Sequence, residues 1–514
     1  MPKASVTQGS NKFLSGVLLL TLSTVVVKII GLVYKIPMLS LLGGQGMGYF
    51  NSAYEIYALA CSLATTGLPV AMSVIISSSD KRQRGQIFSV SICLFFFTGI
   101  IFSALMLVFS GKLSMFLKNP KAMLSIMAIS PAALFMCLSG AYRGYFQGRA
   151  KMLPISLSQI IEAGGKLVLG IIFAYSSKIR GGDMASVAAS GILGVTLASA
   201  LSCCFLFIFK IVSDKKEGII KKVKTGEKWE ILKELLSLAF PITLASLIIS
   251  LTRAIDTTMI LRRLQDVGYS SDSANYVYGL YTTMCLPLFA LSPALISAIA
   301  LPLIPSLSEN IAKNDRQGQK KCVSDALSLT FFISMPISLG MCLFSREILS
   351  LLFGGQNGAE YLMIMPLSVL SLSVVLSCTI TITNAVLQSY RRVYIPIISM
   401  GVGCIVKLVL SYSLICEPTL NILGAPISTL ACDAVICIIN ISCMKKALGQ
   451  RISIVKLLSK PLLCASVSVG LSYFAMRFAC RYAQPSRLLT LICICIAGGI
   501  YLLLVCKEIL KLKN

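Results

Sequence analysis

Long apolar runs separated by short polar loops dominate the chain. Runs of about 18 or more apolar residues, the length that an α-helix needs to cross a bilayer, recur from Phe13 to Cys506. The pattern predicts an all-α polytopic membrane protein with about fourteen transmembrane helices. The predicted spans are 13–39, 49–77, 87–110, 122–142, 154–175, 185–209, 235–260, 276–305, 324–344, 360–388, 394–415, 422–443, 461–479 and 487–506.

The charge along the chain orients these spans. Lys and Arg are concentrated in the even-numbered loops and at both termini, as in DKRQR at 80–84 and KK at 445–446. Cytoplasmic loops of membrane proteins carry such an excess of basic residues. We therefore expect a multi-pass membrane protein with both termini in the cytoplasm.

Composition excludes several other classes of protein. Hydrophobic residues make up 56% of the chain and charged residues 13%, about half of the 25% or so that is typical of soluble proteins. The net charge of +26 lies in short loops without interleaved aromatic residues, which argues against nucleic acid as a partner. The chain has no histidine and no CxxC pair, so neither a zinc site nor a Ser-His-Asp triad is expected. A GxxxxGK[ST] phosphate loop is also absent, and we predict no cofactor and no enzymatic activity.

The two halves of the chain resemble each other. SSDKRQRGQIFSVSICLFFF at 78–97 parallels KNDRQGQKKCVSDALSLTFF at 313–332, and Lys166 and Lys407 begin the similar segments KLVLG and KLVLS. An offset of six helices preserves orientation, which is typical of transporters built from two parallel repeats around a cavity. We predict an N-terminal lobe at 1–210, a basic amphipathic cytoplasmic linker at 211–234, a C-terminal lobe at 235–443 and two extra helices at 461–506.

Two lysines lie within the first apolar span. Lys28 is near the middle of the segment VVVKIIGLVYKIP, and Lys35 lies two turns further along the same helical face. A charge at the centre of a membrane helix costs about 2.5–3.5 kcal/mol, so it needs a partner or a hydrated cavity. Neither lysine has an acid within its own span. We interpret this face as one side of a cavity that receives an anion, with snorkelling to the interface as the alternative for Lys35.

Two further groups of charges have spacings that allow neutralisation within one helix. Glu162 and Lys166 are spaced i, i+4, and Arg253 and Asp256 are spaced i, i+3. For both pairs, a bridge that only permits insertion into the membrane and a functional role are left open.

Three charges remain without a partner in their own span. Lys407 and Asp433, on spans eleven and twelve, are candidates for a pair across helices or for an ion or proton site. Glu55 lies between Tyr54 and Tyr57 and is a candidate either for hydrogen bonds to these tyrosines or for a coupling-ion ligand.

Two segments carry a family resemblance. Residues 14–73, which include VVVKIIGLVYKIPMLSLLGGQGMGYF, resemble the opening of the stage V sporulation protein B family, and so does YRGYFQGRAKMLPISLSQIIEAGGKL at 142–167. These proteins are related to the MurJ-type lipid II flippases of the multidrug/oligosaccharidyl-lipid/polysaccharide exporter superfamily. The resemblance implies two six-helix lobes, two extra helices, and movement of an undecaprenyl-pyrophosphate-linked precursor between leaflets.

The resemblance also implies roles for particular residues. It places basic cavity residues at Lys28 and Lys35, and it matches charged positions of the sporulation branch at Glu162, Lys166, Asp256 and Lys407. The additional arginines that MurJ-type proteins carry on helices two and eight have no basic counterpart here.

We therefore expect a flippase that works by alternating access, coupled to a cation gradient or to the membrane potential. Its partners would be a lipid-linked glycan, membrane lipids and cell-wall synthesis proteins, and it would act as a monomer. A cation-coupled multidrug exporter and a membrane-bound glycan transferase are the alternatives. The substrate-binding candidates are Lys28, Lys35, Glu55, Glu162 and Lys166, and the coupling or gating candidates are Arg253, Asp256, Lys407 and Asp433.

Overall fold

The computed structural model describes residues 4–65, 67–217, 227–355, 358–450, 452–479 and 487–513, and these residues form helices without a strand. This confirms the all-α fold, and each predicted span falls on a helix. Within the described ranges, eleven helical segments are long and apolar enough to cross a membrane. The first of them, Leu22–Ser78, has 57 residues, enough for two crossings of about 20 residues each.

The chain divides into two compact units, Met1–Gly279 and Leu280–Asn514. In the first unit, α6 and α5 both pack against α7, while α1 packs against α6 and α8. A short 3₁₀ turn, Pro120–Ala122, precedes α5. The helices of this unit are α1 (Ala4–Thr65), α2 (Gly67–Ser78), α3 (Lys81–Val108), α4 (Ser110–Phe116), α5 (Met123–Gly148), α6 (Met152–Ile179), α7 (Met184–Glu217), α8 (Glu227–Asp266) and α9 (Ser271–Leu280).

The second unit opens with a π-helix, Tyr281–Cys285, which continues into the next α-helix. Its α13 packs against α10, α11 and α15, and α16 packs against α11 and α17. Two 3₁₀ turns, Ala359–Met363 and Asn421–Leu423, precede α13 and α15. The helices are α10 (Leu286–Ala312), α11 (Arg316–Leu343), α12 (Ser345–Phe353), α13 (Ile364–Ser389), α14 (Tyr394–Leu414), α15 (Gly424–Leu448), α16 (Ile454–Ala479) and α17 (Arg487–Lys513).

The predicted basic linker does not form a separate helix in the described part of the chain. Residues 211–217 continue α7, residues 227–234 begin α8, and residues 218–226 lie outside the described ranges. The division into two six-helix lobes stays a prediction.

A bend at Gly43 separates the first two predicted spans. Gly43 has φ 61° and ψ −179° inside α1, a conformation that only glycine adopts without strain. The proline inside the same helix, Pro37, does not interrupt it. The segment LLGGQGMG therefore supplies the break between the two membrane crossings.

Gly279 of α9 lies in close contact with the backbone of α1. A Cβ at this position would collide with the carbonyl oxygen of Gly44 and would lie 2.6 Å from the backbone nitrogen of Gly48. Small residues are what allow membrane helices to approach so closely.

We expect Gly279→Ala to lower the free energy of unfolding by about 1–3 kcal/mol, because the new methyl group meets backbone that cannot move aside. Gly164→Ala in α6 is the matched control, since a Cβ there meets nothing within 4 Å. Thermal unfolding in detergent measures both variants. Equal unfolding temperatures for the two would contradict the close approach.

Candidate substrate site

Lys28 of α1 lies close to a second cation, Arg253 of α8. The two charges are near enough to interact, on two helices that pack against each other. Both residues are exposed, and neither forms a hydrogen bond or an ion pair with the residues that the structure describes. Two like charges at membrane depth repel each other and are costly to bury. A shared anion would remove both costs.

Lys35 extends this basic surface by about 10 Å along α1. Its Nζ donates a long hydrogen bond, 3.5 Å, to Oδ1 of Asn51. The Lys35 charge also interacts with Glu55, which attracts it, and with Lys28, which repels it. Glu55 thus partly offsets Lys35, whereas none of the ion pairs between described residues includes Lys28 or Arg253. Lys28, Lys35 and Arg253 are called the cationic cluster below.

Asp256 and Glu55 flank a buried tyrosine beside the cationic cluster. Tyr278 of α9 shares a 3.0 Å hydrogen bond with the hydroxyl of Thr257, and its hydroxyl is close enough to interact with the carboxylates of both acids. Arg253, which is spaced i, i+3 from Asp256, lies near Lys28. Whether the Arg253 and Asp256 pair is a bridge or has a functional role stays a prediction.

Glu162 and Lys166 form the bridge that their spacing predicts. Lys166 Nζ donates to Glu162 Oε1 at 2.6 Å, and Arg143 of α5 donates from Nη2 to Glu162 Oε2 at 2.9 Å. The carboxylate is buried, with 8% of its side chain exposed. Arg143 also donates to the hydroxyls of Ser158 on α6 and Ser202 on α7, at 3.1 and 3.3 Å.

This buried network therefore connects α5, α6 and α7. It reaches α1 as well, because the Lys166 ammonium lies 6.0 Å from the centre of the Tyr54 ring. The contacts of Glu162 and Lys166 stabilise the packing of these helices, and this group of contacts is called the clamp below. Their predicted role as substrate ligands stays a prediction.

The second unit holds the remaining predicted pair. Lys407 of α14 and Asp433 of α15 are on helices that pack together, and their charges interact. Asp433 Oδ2 is buried and accepts no hydrogen bond from the described residues. The structure thus brings these two residues together as expected, while their role in coupling stays a prediction.

Sequence reasoning missed two features of the site. The predicted span ends at residue 142, which leaves Arg143 in the following loop. In the structure, α5 extends six residues further, to Gly148, and Arg143 is helical. The sequence feature that points to a second partner is Glu162 itself. A carboxylate buried near the centre of a span needs more than one hydrogen-bond donor, and Arg143 is the second. The proximity of Arg253 to Lys28 depends on how α1 and α8 pack, which no local spacing reports.

Charges within membrane-spanning helices are typical of membrane transporters. The fold is similar to that of solved transporters of the MOP superfamily. An inward-facing multidrug resistance MATE family transporter of this superfamily has a TM-score of 0.68 and 18% identity, covering 84% of this chain and 98% of that one. Lipid II flippase MurJ, in an inward closed conformation, has a TM-score of 0.70 and 16% identity, covering 96% of this chain and 100% of that one.

The chain belongs to the family of polysaccharide biosynthesis proteins, whose pattern matches residues 13–311. It is similar to stage V sporulation protein B of Bacillus subtilis (strain 168), with 23% identity over 449 residues, 86% of this chain and 85% of the relative. The resemblance seen in the sequence is thereby confirmed. The chain is a multi-pass membrane protein of this family, and the solved structures that it resembles are a flippase and a transporter.

Proposed function

We propose that this protein is a flippase for an undecaprenyl-pyrophosphate-linked cell-wall precursor, which it moves from the inner to the outer leaflet by alternating access. The observation that carries the proposal is the proximity of two cations, Lys28 and Arg253, on membrane helices that pack together. Neither cation forms an ion pair with a described carboxylate. A diphosphate carries enough negative charge to offset both. Its oxygens accept hydrogen bonds from an ammonium group and, in bidentate fashion, from a guanidinium group.

Lys35 and Asn51 would extend contact from the diphosphate toward the sugar. Asn51 offers both a donor and an acceptor, which suits sugar hydroxyls. Glu55 keeps this end of the surface less positive than the Lys28 end. The gradient of charge favours a ligand with one anionic end and one neutral, polar end.

An apolar groove in the second unit suits an apolar lipid chain. It has a volume of about 270 Å³ and lies where α11, α16 and α17 meet. Its walls carry small and apolar residues and no charged side chain. Among the lining residues are Pro336, Gly340, Phe344, Val469, Ala497 and Gly498. We propose that this groove binds an apolar lipid chain.

Coverage of the fold favours a lipid-linked substrate over a drug. The solved structure of MurJ covers 96% of this chain, and that of the multidrug transporter covers 84%. Membership of the polysaccharide biosynthesis family points in the same direction. Asp433 and Lys407 are the residues that we assign to coupling with an ion gradient or the membrane potential.

The test is a leaflet-accessibility assay in proteoliposomes. Fluorescent undecaprenyl-pyrophosphate sugar would be placed in both leaflets, and its exposure to an impermeant quencher would be followed over time. We expect the protein to move this lipid faster than it moves the matched undecaprenyl-monophosphate sugar. Efflux of cationic drugs without lipid transfer would contradict the proposal and favour the multidrug alternative.

A further inference from the structure

A basic cavity of about 590 Å³ opens at the end of α15, in the second unit. It is lined by Lys445, Lys446, Gly449, Gln450, Ile452 and Ser453. None of these residues belongs to the cationic cluster or to the apolar groove.

The local sequence fixes the shape of this cavity. Gly449 ends α15 in the left-handed conformation, with φ 66°, and its N–H donates to the Lys445 carbonyl at 3.1 Å. Gln450 then donates from Nε2 to the carbonyl oxygen of Arg316 on α11, at 2.8 Å. Ile452, which also lines the cavity, is buried. The end of α15 is thus bonded to α11 through Gln450.

The cavity has two ammonium groups and no acid in its lining. Lys445 and Lys446 are exposed, and neither forms an ion pair with the residues that the structure describes. Lysines in the last turn of a helix interact favourably with its dipole, but this effect requires no cavity. A concave surface with two unpaired cations is suited to an anion.

Apolar side chains on the flanking helices show the level of this cavity in the membrane. Ile438 of α15 and Val455 and Leu463 of α16 are 65%, 77% and 65% exposed. Such exposure is expected of side chains that face acyl chains. Ile438 lies about two turns from the cavity and Leu463 about three, and Val455 adjoins it, so we infer that the lysines are at the boundary between hydrocarbon and headgroups.

We propose that this cavity is a binding site for an anionic phospholipid. The phosphodiester lies between the Lys445 and Lys446 ammonium groups, Ser453 donates to a headgroup oxygen, and the acyl chains follow the exposed face of α16. Basic pockets at the cytoplasmic ends of membrane helices bind anionic lipids in this way. The charge pattern that places KK at 445–446 in a cytoplasmic loop agrees with this position.

A photoactivatable phosphatidylglycerol, with its diazirine near the headgroup, tests the site in proteoliposomes of the full chain. We expect crosslinks within residues 444–458. The double variant Lys445→Gln, Lys446→Gln should reduce them about tenfold, because each lysine near an anionic headgroup contributes measurably to attraction. The matched control is Lys320→Gln, Lys321→Gln, an adjacent exposed pair on α11 outside the cavity, which should change labelling little.

Competition identifies the source of the phosphate. Excess unlabelled phosphatidylglycerol should abolish the crosslinks, and neither phosphatidylcholine nor soluble glycerophosphate should. Full competition by glycerophosphate would overturn the lipid assignment in favour of a free-phosphate site. Equal crosslinking in the two double variants would overturn the site itself. Lipid transfer is measured separately, so either result leaves the flippase proposal unaffected.

Discussion

Lys28→Ala is expected to reduce transfer of an undecaprenyl-pyrophosphate sugar about thirtyfold, the equivalent of about 2 kcal/mol of lost interaction with the diphosphate. The reason is that Lys28 contributes a charge that only the substrate neutralises. Arg253→Ala should have a similar effect. Lys28→Arg keeps the charge and should retain most of the transfer rate. The leaflet-accessibility assay measures all three variants.

Lys112→Ala is the matched control for loss of one lysine. Lys112 is an exposed residue of α4 in the same unit, and its ammonium lies 5.5 Å from the Phe109 ring. Its removal should leave transfer within about twofold of the wild-type rate, since Lys112 lies outside the cationic cluster.

The double variant of Lys28 and Arg253 completes a thermodynamic cycle. If both cations bind one anion, the effects of the two substitutions should not add. The reason is that the first substitution already weakens binding of the anion, so the second has less binding to remove. Strictly additive effects would indicate two independent roles. Wild-type transfer by Lys28→Ala would remove Lys28 from the mechanism.

Glu162→Gln is expected to cause the largest loss of stability, about 3–5 kcal/mol in free energy of unfolding. The carboxylate accepts from both Lys166 and Arg143, and removing its charge leaves two buried cations without compensation. Thermal unfolding of the purified protein in detergent should show a clear decrease in midpoint.

The matched control is Glu309→Gln. Glu309 bonds Lys313 at 2.6 Å with the same i, i+4 spacing, but the two side chains are 64% and 65% exposed. Its loss should cost less than about 1 kcal/mol. Adding Lys166→Met to Glu162→Gln should recover part of the stability, because it removes one of the stranded charges. A Glu162→Gln protein as stable as the wild type would show that the clamp is not structural.

The helices could be predicted from the sequence because the membrane imposes a simple rule on composition. Apolar runs of sufficient length must be helical where no water satisfies the backbone, so each predicted span coincides with a helix. The break at Gly43 was less accessible, since LLGGQGMG is apolar enough to continue a helix and its one residue with φ 61° is not distinguishable from its neighbours.

The candidate site could be predicted only in part. Local spacing was sufficient for Glu162 with Lys166, which are bonded as expected. It could not place Arg253 near Lys28, because the two residues lie on different helices. The contact of Arg143 with Glu162 joins residues 19 positions apart on two helices. Contacts of this kind depend on packing rather than on periodicity.

Equilibrium binding of undecaprenyl pyrophosphate to the purified protein tests the cationic cluster most directly, because it separates recognition of the diphosphate from transport. We predict that wild-type protein binds the pyrophosphate more tightly than undecaprenyl monophosphate, and that Lys28→Ala combined with Arg253→Ala removes this preference. Equal affinity of the wild type and the double variant for the pyrophosphate would contradict the proposed site.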